Sequence, residues 1–388
     1  MGGCAEKPAG GSDRPQNGAT APTTAPASVP KGAHWVYADA AEDERGRFLD
    51  VTAPAADDIW ATAAFDSAAG NGAGDQYLFH YDGRRWKQQA MPRELDGGIY
   101  NSRLVSSGPD NVWLVGSESG GTGPLRAHIA RWDGTRWSRV PSGPPATVVD
   151  PLVLGPDDVW MPVGDKAWHW NGTRWNTFPL PANAASMGGT SGDDVWAVGY
   201  RSSGPGIEGE QYSQPAAMHW DGSGWKLVET PTFRFPDPEP PEASAGLGRV
   251  LALPGGKVLA YGGMSFNHGE VEDEPEDRSI TLSWDGTRWT DVTDDEPACE
   301  LGRDPVPDGH GGLIHLNRWH LTSDGVCRRT TRSELPATGE ITRQAQQSLW
   351  FARIVPVPGT RKLVGVGHMQ VNQSGNPLSR PLIATLDF

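Results

Sequence analysis

The sequence predicts an all-β chain, a β-propeller of four-stranded antiparallel blades, and three observations carry that expectation. An aromatic, an Asp or Asn, a Gly and, three residues past the Gly, a Trp recur five times. The copies are Tyr81-Asp82-Gly83…Trp86, Trp132-Asp133-Gly134…Trp137, Trp170-Asn171-Gly172…Trp175, Trp220-Asp221-Gly222…Trp225 and Trp284-Asp285-Gly286…Trp289. A second signature precedes the first four: Asp58-Ile59-Trp60, Asn111-Val112-Trp113, Asp158-Val159-Trp160 and Asp194-Val195-Trp196. Together the two hold thirteen of the seventeen Trp residues, so the chain is built from copies of one unit. The copies stand 51, 38, 50 and 64 residues apart, which suits a four-stranded blade with variable loops and is too long for a helix pair or a leucine-rich repeat.

The stretch from Arg103 to Pro141 shows the unit most clearly. Arg103 to Ser107 reads as an inner strand and Gly108-Pro109-Asp110 as a turn. Val112 to Gly116 is an apolar strand covered on both faces, Ala127 to Trp132 a third strand and Thr135 to Val140 the outer one. Asp133-Gly134 reads as a two-residue hairpin turn, since Asp and Gly tolerate positive φ. That turn would pair Trp132 with Thr135 and set Trp137 diagonal to Trp132, both rings facing the adjacent blade.

Counted this way, blades run over about 47–92, 101–141, 147–181, 184–231 and 243–293. A sixth is weaker, around Gly312–Leu316 and Trp319–Cys327. The last segment offers only three strands, near Phe351–Val357, Leu363–Gly367 and Leu382–Phe388. His34 to Ala38 is the missing outer strand, and adding it closes the ring without an open edge. Seven blades are expected, with six or eight as alternatives.

The Asp-Asp-Val-Trp-Ala-Val-Gly…His-Trp-Asp-Gly…Trp unit at Asp193–Trp225 resembles the repeats of exported actinobacterial β-propeller proteins. Leu253-Pro254-Gly255-Gly256-Lys257-Val258-Leu259-Ala260-Tyr261-Gly262-Gly263 is similar to the kelch-type repeats of the galactose oxidase central domain. The resemblance covers residues 47–293 and implies a fold rather than a chemistry, because propellers host unrelated functions.

Residues 33–388 are expected to form the propeller domain and 1–32 a tether. Ala5 to Lys31 is rich in Ala, Pro, Thr and Gly and poor in large apolar groups. Ahead of it, Gly2-Gly3-Cys4 resembles the end of a lipoprotein cleavage site, with Met1 where an apolar residue is usual and no signal region before it. The expectation is that this start lies inside the true signal peptide and that Cys4 carries lipid, placing a monomer on the outer face of the cytoplasmic membrane. Secretion without lipid is the alternative. Cys299 and Cys327 then remain as a pair for an oxidising compartment, expected to form a disulfide. No apolar stretch is long enough to span a membrane as a helix, and the net charge of −15 argues against a nucleic-acid or anionic-lipid partner.

The sequence offers no assignable catalytic set, metal site or cofactor motif. His80, His169 and His219 each precede the motif aromatic, a repeat position that sets them on separate blades as structural filling. His310, His315 and His320 are five apart, a spacing that does not keep strand side chains on one face. The acidic run Glu270–Asp277 and the segment Asp291–Glu296 read as solvated loops. The Asp-Gly-Trp turn is similar to the Asp-box hairpin of sialidases, yet the arginines beside it (Arg85, Arg136, Arg174, Arg288) sit in the turns. Neither Cys299 nor Cys327 has the neighbours that a copper-radical oxidase needs. Insertions near Ala68–Gln76, Ser117–Pro124, Arg201–Gln214, Phe233–Glu242 and Met264–Arg278 are expected to cluster on one face, with Arg201, Tyr212, Phe233, Phe235 and Phe266 as anchors for a protein or carbohydrate partner. The expected function is a non-catalytic binding or scaffolding propeller. The alternative is a secreted glycan-active enzyme, sialidase-like or galactose-oxidase-like, using the central pocket. Convergent carboxylates and arginines in the channel favour the enzyme, whereas a mouth lined by Gly, Ser and Thr favours the binder.

Overall fold

The computed structural model describes residues 31–38, 44–66, 75–95, 99–118, 127–141, 143–145, 150–205, 211–237, 242–266, 276–295, 305–316, 318–375 and 377–388. Among these the strand pairings trace seven four-stranded antiparallel units in chain order. The first pairs Gly46–Ala55, Asp58–Phe65, Asp75–Tyr81 and Trp86–Gln89, and the second Ile99–Gly108, Asn111–Glu118, Ala127–Trp132 and Trp137–Arg139. In the third, Leu152–Gly155 pairs with Asp158–Trp170, which turns at Gly164 (φ 60°) and supplies two strands before reaching Trp175–Ser191. That last strand is also the inner strand of the fourth unit, continued by Asp194–Pro205, Gln211–Trp220 and Trp225–Val228. The fifth unit holds Ser244–Ala252, Val258–Ser265, Arg278–Trp284 and Trp289–Asp291. The sixth is built from short strands, Pro305–Pro307, Leu313–His315, Trp319–Leu321 and Cys327–Arg332.

The seventh unit takes three strands from the C-terminal end, Gln346–Pro356, Lys362–Asn372 and Leu378–Asp387. Strand β1, Lys31–Ala38, supplies the fourth by pairing Val36–Ala38 antiparallel with Ile383–Thr385, and it also meets the outer strand of unit six in parallel. Trp35 anchors it, fully buried against Phe351 (centroids 4.5 Å) with Nε1 donating to Thr330 Oγ1 at 3.0 Å. The N-terminal strand thus covers the outer edge that Leu378–Asp387 would otherwise leave unpaired.

The core is distributed along the seams between units. Trp60, Leu78, Leu104 and Leu114 fill the seam between units one and two, and Phe48, Val51, Val364 and Ile383 close unit seven onto unit one. The seam between five and six is the thinnest described, holding Leu251, Leu259, Tyr261 and Leu313, in keeping with the weak patterning of unit six. Each second-signature Trp docks on the Trp pair of the next unit. Trp60 meets Trp132 and Trp137 at 5.3 and 5.4 Å, Trp160 meets Trp220 and Trp225, and Trp196 meets Trp284 and Trp289. These tilted and edge-on contacts are the preferred aromatic geometry and stabilise beyond the area they bury.

The motif turn differs from the two-residue expectation. Trp132 pairs directly with Trp137, and Asp133 to Arg136 form the loop between them. The Asp133 carboxylate accepts the Thr135 and Arg136 N–H groups, each at 2.9 Å, and Gly134 takes the left-handed conformation (φ 91°). A side chain that satisfies two backbone donors stabilises the longer loop, which is why Asp or Asn is needed there. These bonds hold the Asp133 carboxyl at about 2, the Thr135 hydroxyl being the largest contributor.

Candidate active site at the ring centre

The inner strands carry a recurring irregularity. Register shifts fall between Phe48 and Asp50, Tyr100 and Arg103, Ala184 and Ser186, Leu247 and Arg249, and Phe351 and Arg353. A β-bulge bends its strand and re-aims the following side chain. In unit two Asn101 forms part of it with φ 52°, a conformation that Asn tolerates better than most residues. The residue after each bulge is polar, and the next is apolar and packs into a seam: Val51, Leu104, Met187, Val250 and Ile354.

Four of these polar side chains, with Asp150 just ahead of the inner strand of unit three, meet in one cavity of about 160 Å³. Asp50, Arg103, Asp150, Arg249 and Arg353 line it beside Leu49, Val306, Leu316 and Ala352, so six of the seven units contribute to it. Arg103 Nε donates to Asp150 Oδ1 at 2.9 Å. Arg353 Nη1 and Arg249 Nη1 approach Asp150 Oδ2 at 3.5 and 3.9 Å, and Arg353 Nε approaches Asp50 Oδ1 at 3.6 Å. The Asp50 carboxylate also accepts the Val51 N–H at 2.8 Å and, across the seam, the Leu104 N–H at 3.0 Å. Ser186 repeats that last contact more weakly, accepting the Val250 N–H at 3.3 Å.

The two carboxyls are driven apart. Asp50 is 1% exposed, and burial raises its pKa against the opposing pull of Arg353, Arg103 and the Leu104 N–H. Asp150 is partly open; burial opposes its ionisation, but Arg353, Arg103 and Arg249 outweigh it and hold the carboxyl below the usual range. Two neighbouring carboxyls shifted in opposite directions are the pattern that separates a proton donor from a carboxylate kept ionised. Three guanidiniums against two carboxylates leave one positive charge, or two with Asp50 protonated. That excess lies at the centre of a chain whose net charge is −15.

None of these five residues is singled out by reading the sequence. The signal lies in the phase of the repeat: Asp50, Arg103, Asp150 and Ser186 each stand eight residues ahead of the first residue of the second signature, at Asp58, Asn111, Asp158 and Asp194. The arginines in the turns do sit at the periphery; Arg136 and Arg288 are about 80% exposed.

The expected partner anchors fall elsewhere, and two require correction. Phe233 and Phe266 are buried in the seam between units four and five, with Tyr212 and Phe235 packed against them, because large aromatics after the fourth unit find more apolar area inside than out. The backbone N–H of Phe233 is further tied to Gln214 Oε1 at 2.8 Å. Arg201 lies part-buried in the strand Asp194–Pro205. His80, His169 and His219 bond Asp58, Asp158 and Asp194 at 2.7 to 2.9 Å and lie over Trp60, Trp160 and Trp196, as seam filling requires. His320 bonds Asp308 at 2.9 Å. Among the described residues no group of three or more His, Cys, Asp and Glu is placed to hold a metal. Cys327 is disulfide-bonded, while Cys299, Cys4 and most of the acidic run Glu270–Asp277 lie outside the described residues.

Fold and ring centre together define a β-propeller. No family model matches the chain, and no curated protein matches it. Solved structures similar to it include a polysaccharide lyase described as an ulvan lyase (12% identity over 89% of this chain and 97% of that one, TM-score 0.44). Others are the β-propeller domain of the Trilobed protease from Pyrococcus furiosus (10%, 86% and 97%, TM-score 0.43) and the α-L-arabinanase of Penicillium chrysogenum complexed with arabinobiose (14%, 91% and 98%, TM-score 0.38). These likenesses show the fold alone; it is the ring centre that corrects the expectation of a non-catalytic binding or scaffolding propeller working through its loop face. Carboxylates and arginines converge there, the arrangement that favours an enzyme using the central pocket over a binder.

Proposed function

We propose that the protein is a glycan-active enzyme whose central cavity receives an acidic sugar unit and cleaves the linkage beside it. The observation that carries this reading is the net-positive ring of Arg103, Arg249 and Arg353 around two carboxyls with divergent proton affinities. Guanidinium forks match a carboxylate bidentately and stay charged at every working pH. A uronate carboxylate entering the cavity competes with Asp150 for the three arginines. Asp50, whose proton affinity burial raises, donates a proton to the glycosidic oxygen when protonated, and ionised Asp150 stabilises positive charge developing at the anomeric carbon. The glycosidic C–O bond breaks, water adds to the anomeric carbon, and the proton it releases restores the one Asp50 gave up.

A panel of uronate-containing and neutral polysaccharides tests this, with new reducing ends as the readout. Release from an acidic polymer, falling at least about a hundredfold in Asp50→Asn or Asp150→Asn, is expected for removal of an acid–base or charge-stabilising group. Equal inertness toward all polymers, or turnover untouched by both changes, overturns it.

Export belongs to the same reading, because such glycans are met outside the cytoplasm. Gly2-Gly3-Cys4 and the Ala/Pro/Thr-rich stretch behind it support lipid attachment at Cys4. Acyl labelling of the protein expressed from its own locus should be lost in Cys4→Ser. A mature protein that begins at Met1 without lipid contradicts it.

A further inference from the structure

Arg249 lines two cavities. Besides the ring centre it borders a groove of about 680 Å³ between units four and five, together with Tyr200, Tyr261, Ser213, Ser244, Ser265 and the backbone of Gly246, Gly248, Gly262 and Gly263. The groove and the arginine cluster are thus neighbours that share the Arg249 side chain. Tyr200 is 47% exposed on the strand Asp194–Pro205, one of few large apolar side chains among the described residues left so open. Its neighbours keep the wall low: Gly246 lies against the Tyr200 Cβ, and a Cβ at Gly248 would meet nothing within 4 Å. Hydroxyls stand along the floor, with Ser244 and Ser265 Oγ 3.0 Å apart and Ser213 donating to the Ala245 carbonyl at 3.1 Å.

We infer that this groove is a second saccharide subsite, which stacks the sugar next to the acidic unit on the face of Tyr200 and leads the glycan chain into the ring centre. The inference rests on the reading of the central cavity as an acidic-sugar site. The chemistry favours a sugar over other occupants. An exposed aromatic face with hydroxyl groups around it matches a pyranose, which offers an apolar C–H face and a rim of hydroxyls. The groove brings no charge of its own beyond Arg249, so it suits a neutral unit adjoining a charged one. Its volume is of the size that holds a small ligand.

Calorimetric titration with two probes separates the subsite from the central site. Glucuronate alone tests the arginine cluster, and hyaluronan tetrasaccharide, which alternates glucuronate with N-acetylglucosamine, tests cluster and groove together. The tetrasaccharide should bind more tightly than glucuronate, and Tyr200→Ala should weaken it about tenfold, the loss expected for one good aromatic contact, while leaving glucuronate affinity unchanged. Tyr200→Phe should retain the tetrasaccharide. Gly248→Leu should obstruct the groove with the same selectivity, since Gly248 lines it and a Cβ there has no neighbour within 4 Å. Equal affinity for both probes, or equal losses for both in Tyr200→Ala, overturns the subsite and leaves the central site standing. No binding of glucuronate by the unaltered protein overturns the central reading itself, and the subsite with it.

Discussion

Replacing Arg353 with Met removes a guanidinium that lies within 4 Å of both carboxyls, at 3.6 Å from Asp50 and 3.5 Å from Asp150. Asp150 keeps Arg103 and is partly exposed, so its loss is small, about 0–1 kcal/mol. Asp50 is buried and keeps only its backbone N–H partners and the more distant Arg103. Stripping a buried carboxylate of its partner costs about 3–5 kcal/mol at neutral pH. With a urea slope of about 3 kcal/mol per M, the unfolding midpoint drops by about 1–2 M. The pH dependence has a definite sign. Asp50 already titrates above the ordinary carboxylate value, and loss of a cation raises it further. Between the ordinary value and the raised one the folded variant holds a proton that the unfolded chain has released, so stability falls as pH rises through that window. Urea melts at pH 4.5 and 7.5 should show the larger deficit at 7.5, and adding Asp50→Asn to Arg353→Met should recover most of it. A variant within about 1 kcal/mol of the parent at pH 7.5, or equally impaired at both pH values, refutes the buried, ionisable hub.

Other consequences follow from the same structure. Trp160→Ala should cost about 3–5 kcal/mol in chemical unfolding because it empties a seam filled by Trp220, Trp225 and Phe178, whereas Trp350→Ala, at a site 60% exposed, should stay within about 0.5 kcal/mol. Deleting residues 31–38 strips the partner from Ile383–Thr385 and removes buried Trp35; the truncated protein should melt earlier and self-associate on size-exclusion chromatography. Glucuronate binding should tighten as pH falls through the raised Asp50 value, because protonation adds a positive charge to the cavity, and it should weaken again once the sugar carboxyl is protonated. Binding that is flat across the acid range argues that Asp50 does not face the ligand.

The sequence makes the scaffold legible and the chemistry obscure for one physical reason. Trp and Asx-Gly recur because every seam needs the same filler and every outer hairpin the same turn, so the repeat describes what all units share. A site needs what they do not share. At the position after the inner-strand bulge the units carry Asp50, Arg103, Ser186, Arg249 and Arg353, an aspartate, a serine and three arginines with no common motif around them. Each looks like an ordinary solvated charge until the ring brings residues 50 through 353 together. The bulge that aims them leaves little trace in composition. The aromatic insertion residues misled in the opposite way: Phe233 and Phe266 stand in variable segments, where binding anchors are sought, but their area is spent inside a seam. Even the motif turn was legible in type and not in length, since the two donors captured by Asp133 add residues that the Asp-Gly pair alone does not demand.

The central claim is that an acidic sugar sits among Arg103, Arg249 and Arg353, and a crystal structure with a uronate oligosaccharide tests it most directly. The account predicts the uronate carboxylate within hydrogen-bond reach of at least two of these guanidiniums, displaced from Asp150, with the glycosidic oxygen facing Asp50. Sugar bound only on an outer loop face, with Asp150 still holding its arginines and the cavity empty of ligand, would contradict it.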